Sequence, residues 1–143
     1  MNLHENKKLF RQAVQTTAQQ KGIPEIYIEK DYWVTHALYT IFTDPLGADA
    51  IFKGGTALSK CYKLIDRFSE DIDLTVLRKD GESDAQMKIK IRELGKVLTA
   101  QLPEVEIGGV TNKKGNIRKT AHPYEKEFQG AYGQIRDVIA LEV

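Results

Sequence analysis

FKGGTALSKCYKLIDRFSEDIDL, residues 52–74, joins a glycine pair, a short segment of helical character and two aspartates on alternate positions. Side chains two apart on a strand point the same way. If Asp71–Leu77 is a strand, Asp71 and Asp73 present both carboxylates on one face, while Ile72 and Leu74 enter the core on the other. Two parallel carboxylates repel each other unless a cation lies between them. Mg²⁺ favours one or two carboxylates, waters and substrate phosphates, so the pair has the donor chemistry of metal-assisted phosphoryl transfer.

The glycines supply a second half. Ala50–Lys53 reads as a short strand leading into Gly54-Gly55. Lacking Cβ atoms, these residues allow a tight turn whose N–H groups can face a phosphate. A helix of about two turns is expected over Thr56–Ile65, and its N-terminus adds unpaired N–H groups and dipole. Thr56 can cap that helix or donate its hydroxyl to a phosphate oxygen, and Ser59, Lys60 and Ser69 are further donors nearby. Two better-known phosphate and cation motifs do not fit. A P-loop requires a second glycine immediately before the lysine, and none precedes Lys60. A calcium loop starting at Asp71 requires glycine where Val76 stands.

The rest of the chain frames this motif. Its 143 residues suit one domain with one core, and 41% hydrophobic with 29% charged residues suit a folded, soluble protein. No apolar run approaches the ~20 residues that span a membrane, and MNLHENKKLFRQ lacks the apolar stretch of a secretory signal. The lone Cys61 rules out an intrachain disulfide and points to a reducing, cytoplasmic compartment. A net charge of +1 means that attraction to nucleic acid has to come from a local patch.

Residues 2–21 read as a weakly amphipathic helix ended by Gly22, with Pro24 opening the next. That next helix, EIYIEKDYWVTHALYTIF, has one wide apolar face at Trp33/Val34, Ala37/Leu38 and Ile41/Phe42. Asp44-Pro45-Leu46-Gly47 breaks the chain. A further amphipathic helix is expected over 83–100, with Met87, Ile91, Leu94 and Leu98 on one stripe, ended by Pro103. VEIGG, NIRKTAHPY and QIRDVIALEV then read as three strands with turns at Gly108-Gly109, Lys114-Gly115 and Gly130–Gly133. The order ααβαβαβββ predicts an α+β fold, a small mixed sheet with helices packed on it. Residues 1–47 are expected to form a helical segment packed on a nucleotide-site core of residues 48–143.

Other features carry less. Lys113, Lys114, Arg118 and Lys119 cluster around a turn that could face an RNA backbone, although a solvated hairpin is the simpler reading. His4, His36 and His122 have no partner at zinc-site spacing. Cys61 and Trp33 are expected in the core. Glu29, Lys30 and Asp31 cannot all face one way on a helix, and the sequence assigns them no role.

Strand, Gly-Gly, short helix and apolar-flanked Asp-x-Asp together resemble the nucleotidyltransferase superfamily that includes DNA polymerase beta. The wording of EKDYWVTHAL (29–38), FKGGTALSKCY (52–62) and RFSEDIDL (67–74) is similar to the nucleotidyltransferase AbiEii/AbiGii toxin family, over roughly residues 23–143. The resemblance implies a polymerase-beta-type core with Gly54, Gly55 and Thr56 in the phosphate-binding loop. It implies a metal and catalytic site at Asp71, Asp73 and a third acid, for which Glu142 between Leu141 and Val143 is the candidate. By the same resemblance, Asp73 and Glu142 serve the metal that activates the acceptor hydroxyl, and Asp71 and Asp73 bridge to the nucleotide metal. The implied activity is Mg²⁺-dependent (or Mn²⁺-dependent) transfer of a nucleotide from a nucleoside triphosphate, with pyrophosphate leaving. The implied acceptor is tRNA or another RNA. The implied setting is a bacterial toxin–antitoxin or phage-defence system, with a cognate antitoxin protein or RNA element as partner. Family members are usually longer, with a helical C-terminal part absent here, and many carry lysine where this chain has Ala140. The expectation is weak nucleotide transfer at this length. The alternative is an inactive module that binds nucleotide or antitoxin.

Overall fold

In a computed structural model, residues 2–64, 71–115, 117–130 and 136–143 are described. Four helices, α1 (Lys7–Lys21), α2 (Glu25–Thr43), α3 (Gly54–Lys60) and α4 (Asp84–Thr99), accompany four strands, β1 (Ala50–Lys53), β2 (Asp71–Val76), β3 (Lys119–His122) and β4 (Ile139–Glu142). The strands form one mixed sheet in the order β1-β2-β4-β3, with β2 and β4 parallel and both outer pairs antiparallel. The α+β class follows directly.

Helix boundaries sit where the local chemistry puts them. Asn6 accepts the Leu9 N–H at the start of α1, and Gly22 closes it at φ 65°, a left-handed conformation that glycine adopts without penalty. Pro24 stands at the N-cap of α2. Ser83 and Gln86 cap α4 reciprocally, each side chain taking the other residue's N–H. Helix α3 is shorter than expected and starts earlier, at Gly54 rather than Thr56. Thr56 therefore lies buried inside its first turn, and the N-cap is Lys53. Because α3 ends at Lys60, Cys61 turns outward and is exposed, not in the core.

One face of the sheet carries Phe52, Ile72, Leu74, Ile139 and Leu141 against Trp33, Val34, Ala37 and Ile41 of α2 and Leu94 and Leu98 of α4. Ile72, Leu94 and Leu141 are fully enclosed, each stabilising the fold by roughly 1.5–3 kcal/mol through burial. The apolar face expected for α2 makes this contact through Trp33, Val34, Ala37 and Ile41, with Leu38 packed beside them, whereas Phe42 is exposed. Among the described residues, no helix is long and apolar enough to cross a membrane.

VEIGG does not become a strand. Val105 makes a single bridge to Ala121, and two residues later Thr111 Oγ1 takes over, accepting from the Ile107 N–H and donating to its carbonyl. A local side-chain turn has captured the backbone groups that a strand would have used. The other two segments shorten to β3 and β4; the part of the Gly130–Gly133 turn beyond residue 130 lies outside the described residues. The turns at Gly109 and Gly115 do occur, at φ 75° and 69°. The basic cluster beside them is largely paired with acids: Lys113 and Arg118 reach Glu104, and Lys119 reaches Glu142.

His122 ties β3 to the end of α4. It is fully buried, its Nδ1–H donates to the Leu102 carbonyl at 3.0 Å, and its Nε2 accepts from the Thr120 hydroxyl at 2.8 Å. Burial holds its pKa below the usual 6.5. The folded state therefore resists a proton that the unfolded chain accepts, so the stabilisation is complete above that pH and declines as pH falls through it. Burial lowers the His36 pKa as well. Thermal unfolding should show a falling melting temperature from about pH 7.5 to about pH 5.5. Side-chain NMR should show His122 keeping its neutral form, with its proton on Nδ1, to lower pH than an exposed histidine does.

Candidate active site

Register decides which side chains meet. Lys53 pairs with Asp73 across β1 and β2, Asp73 with Glu142 across β2 and β4, and Glu142 with Lys119 across β4 and β3. Directly paired residues project from the same face. A row of base, acid, acid and base thus crosses the sheet opposite its core face, and Asp71 stands two residues away on the same side. Asp71 and Asp73 share a face, as their alternation predicts, and the register places Glu142 on it as well. Ile72 and Leu141 pair behind them in the core.

The carboxylates differ in surroundings. Asp73 is pushed above the ordinary aspartate pKa by burial first, then by the negative charges of Glu142 and Asp71, with Lys53 and Lys119 opposing. Glu142 Oε2 is 3.3 Å from Lys119 Nζ. Asp71 Oδ2 accepts from the Arg136 guanidinium at 2.8 Å, while its Oδ1 is buried without a hydrogen-bond partner.

The glycine turn touches this row. Gly54 has φ 78°, and a Cβ there would lie 2.3 Å from Asp73 Oδ2. The carboxylate occupies the space that any side chain at position 54 would need. Gly55 and Thr56 follow in the first turn of α3, where helices leave N–H groups without intrahelical partners. Lys60 is turned to α2, and Ser59 is bonded within its own helix. Ser59 Oγ donates to the Thr56 carbonyl, and Lys60 Nζ binds Asp31 Oδ1 at 2.7 Å and Thr35 Oγ1 at 2.8 Å on α2. Ser69 lies outside the described residues.

The structure gives Glu29, Lys30 and Asp31 three separate partners. Glu29 is fully buried and accepts the N–H groups of Glu127 at 2.7 Å and Phe128 at 3.2 Å. Burial raises its pKa more than those hydrogen bonds lower it. Lys30, 2% exposed, donates to the Arg136 carbonyl at 2.5 Å. Asp31 pairs with Lys60. Helix α2 thereby fastens α3, the 127–128 backbone and Arg136, and α3 and Arg136 each touch or adjoin the acidic row. The sequence signal was a charged triplet running into the apolar face of a helix, but its partners at positions 127, 128 and 136 had no local mark.

Oxygen donors suit a hard divalent cation. The unpartnered Asp71 Oδ1 and the mutual repulsion around Asp73 are features that such an ion would relieve. Among the described residues, no three histidine, cysteine or acidic side chains converge closely enough to hold one as they stand. Asp71 is instead turned to Arg136. The donor chemistry fits, and the geometry requires Asp71 to change partner.

Gly54→Ala forces a left-handed conformation, at about 1–2 kcal/mol, and also drives a methyl group into Asp73. Gly22→Ala carries the first cost alone, because nothing lies within 4 Å of its added Cβ. Urea unfolding should show the larger loss for Gly54→Ala.

A family model described as the nucleotidyl transferase AbiEii toxin of type IV toxin–antitoxin systems matches residues 36–143. No curated protein and no solved structure matches the chain. The matched region contains the glycine turn, both aspartates and Glu142, together with every strand of the sheet. By this match over well more than half its length, the chain belongs to the AbiEii nucleotidyl transferase toxin family of type IV toxin–antitoxin systems.

Proposed function

We propose that this chain transfers a nucleotide from a nucleoside triphosphate to an RNA acceptor, with tRNA the expected one, as the toxin of its system. The observation that carries the reading is the contact between the glycine turn and the acidic row: Gly54 leaves room for the Asp73 carboxylate, which is paired in register with Glu142. A backbone turn that accepts phosphate and carboxylates that serve its counter-cation are both needed within one phosphate's reach of each other.

Asp71, Asp73 and Glu142 would hold a divalent cation, Mg²⁺ or Mn²⁺. When bound, it neutralises phosphate charge and favours ionisation of the attacking hydroxyl. The chain's own residues do the remaining work. Gly54, Gly55 and Thr56 bring backbone N–H groups to the triphosphate without an intervening side chain. Lys53 and Lys119, at the two ends of the row, offset negative charge as the nucleotide arrives. Buried Ile72 and Leu141 hold the strands beneath Asp73 and Glu142 in register from behind. An antitoxin would restrain this activity in the cell, as the family's toxin–antitoxin setting implies.

The test is incubation of the protein with each labelled nucleoside triphosphate, total RNA and Mg²⁺, followed by measurement of label in RNA and in protein. Label in RNA that disappears in Asp73→Asn is the expected result; none with any nucleotide would sink the proposal. The same variant makes a second prediction. Because Asp73's pKa is raised in the fold, the folded state is penalised as pH rises through the ordinary aspartate value. Asp73→Asn removes that penalty and the repulsion with Glu142 and Asp71. In metal-free buffer near neutral pH its melting temperature should equal or exceed the parent's. A clear fall would point to a structural role for the carboxylate.

A further inference from the structure

Three acids on the site face are matched by three bases. Asp73 and Glu142 lie between Lys53 and Lys119 in the sheet row, and Asp71 holds Arg136. The arrangement is neutral as it stands, yet a nucleoside triphosphate needs positive charge and a divalent cation needs bare carboxylate. Both needs converge on one contact, the 2.8 Å pair between the Arg136 guanidinium and Asp71 Oδ2.

From this contact, and resting on the transferase reading above, we infer that Arg136 is the exchangeable counter-ion of the site. It covers Asp71 while the site is empty of metal, leaves when a divalent cation binds, and then donates to the triphosphate. Several observations support the exchange. The Arg136 side chain is 41% exposed and makes an ion pair of the kind that contributes little on its own, so leaving costs little. Its carbonyl is tied to α2, because the buried Lys30 donates to it. The side chain can therefore swing while its point of attachment stays beside the acids. Asp71 has one oxygen already buried without a partner, so removing the guanidinium from the other oxygen exposes a carboxylate with much to gain from a cation. A guanidinium is also well shaped for phosphate oxygens, which it binds through two parallel N–H donors.

This role gives Arg136 opposite effects on two ligands. In Arg136→Gln, the competitor for Asp71 is gone, so Mn²⁺ alone should bind about two- to fivefold more tightly, the equivalent of one exposed ion pair. Inorganic tripolyphosphate, added as its Mn²⁺ complex and carrying no base, should bind about tenfold more weakly through loss of a charge-assisted partner. Arg136→Lys keeps the charge without the paired donors and should fall between parent and Arg136→Gln on both measurements. Calorimetric titration gives the tripolyphosphate affinities, Mn²⁺ electron paramagnetic resonance gives those for the metal, and thermal unfolding checks that the exposed substitution leaves the fold intact. The opposite signs are what a merely structural ion pair would not produce. Effects of the same sign on both ligands, or no change in either affinity, would overturn the exchange while leaving the transferase reading in place. A parent protein that binds neither Mn²⁺ nor its tripolyphosphate complex would instead remove the transferase reading, and this inference with it.

Discussion

The parallel pairing of β2 with β4 is the constraint on which the site depends. One register brings Ile72 beside Leu141 in the core and Asp73 beside Glu142 on the opposite face. Burying two large aliphatic side chains stabilises that register by several kcal/mol, about 1.5–3 for each. Partial burial of Asp73, and after it repulsion from Glu142 and Asp71, works against it, and the raised Asp73 pKa is the sign that both do. Aliphatic burial prevails because the carboxylates keep solvent and two flanking lysines, whereas the aliphatic groups have no alternative. A slip by one residue would send the acids into the core and the aliphatic residues into water.

Helix α2 joins the core to the site. Its apolar face covers the sheet, and the charged triplet at its start reaches three places in turn: the 127–128 backbone, the Arg136 carbonyl and Lys60 on α3. Glu29 and Lys30 are enclosed. Charged groups at such positions are costly unless satisfied, which makes their contacts strongly directional. The Asp31–Lys60 pair is more exposed and weaker in itself. Together they register α3 and Arg136 against one helix. The site is assembled from segments far apart in the chain but held to a single helix.

Local neutrality follows from the same layout. Lys53, Lys119 and Arg136 offset the three acids, so the fold tolerates a concentration of like charge without placing it in the interior. The strain that remains is concentrated at Asp73 and Asp71, where the transferase reading needs reactive donors. Stability given up at a functional position is a common pattern.

Much of this was legible in residues 50–76. Period-two alternation fixed which side of β2 was apolar, and the glycine pair marked the turn, because both are local consequences of chain geometry. The third acid was found through its aliphatic neighbours and the family resemblance. The extent of α3 and the fate of VEIGG were decided by competition among nearby backbone partners, which propensity alone does not rank: the helix began at Gly54, and Thr111 took the backbone groups of Ile107. The contacts of Glu29, Lys30 and Arg136 were beyond sequence pattern altogether, since each joins α2 or β2 to positions 65 to 106 residues away. The sequence by itself determined the alternation of acids and aliphatic residues, a property of each strand alone. Only the tertiary structure decided that Asp73 stands beside Glu142 and that Arg136 covers Asp71, because cross-strand register and long-range ion pairs exist only once distant segments have packed on a common core.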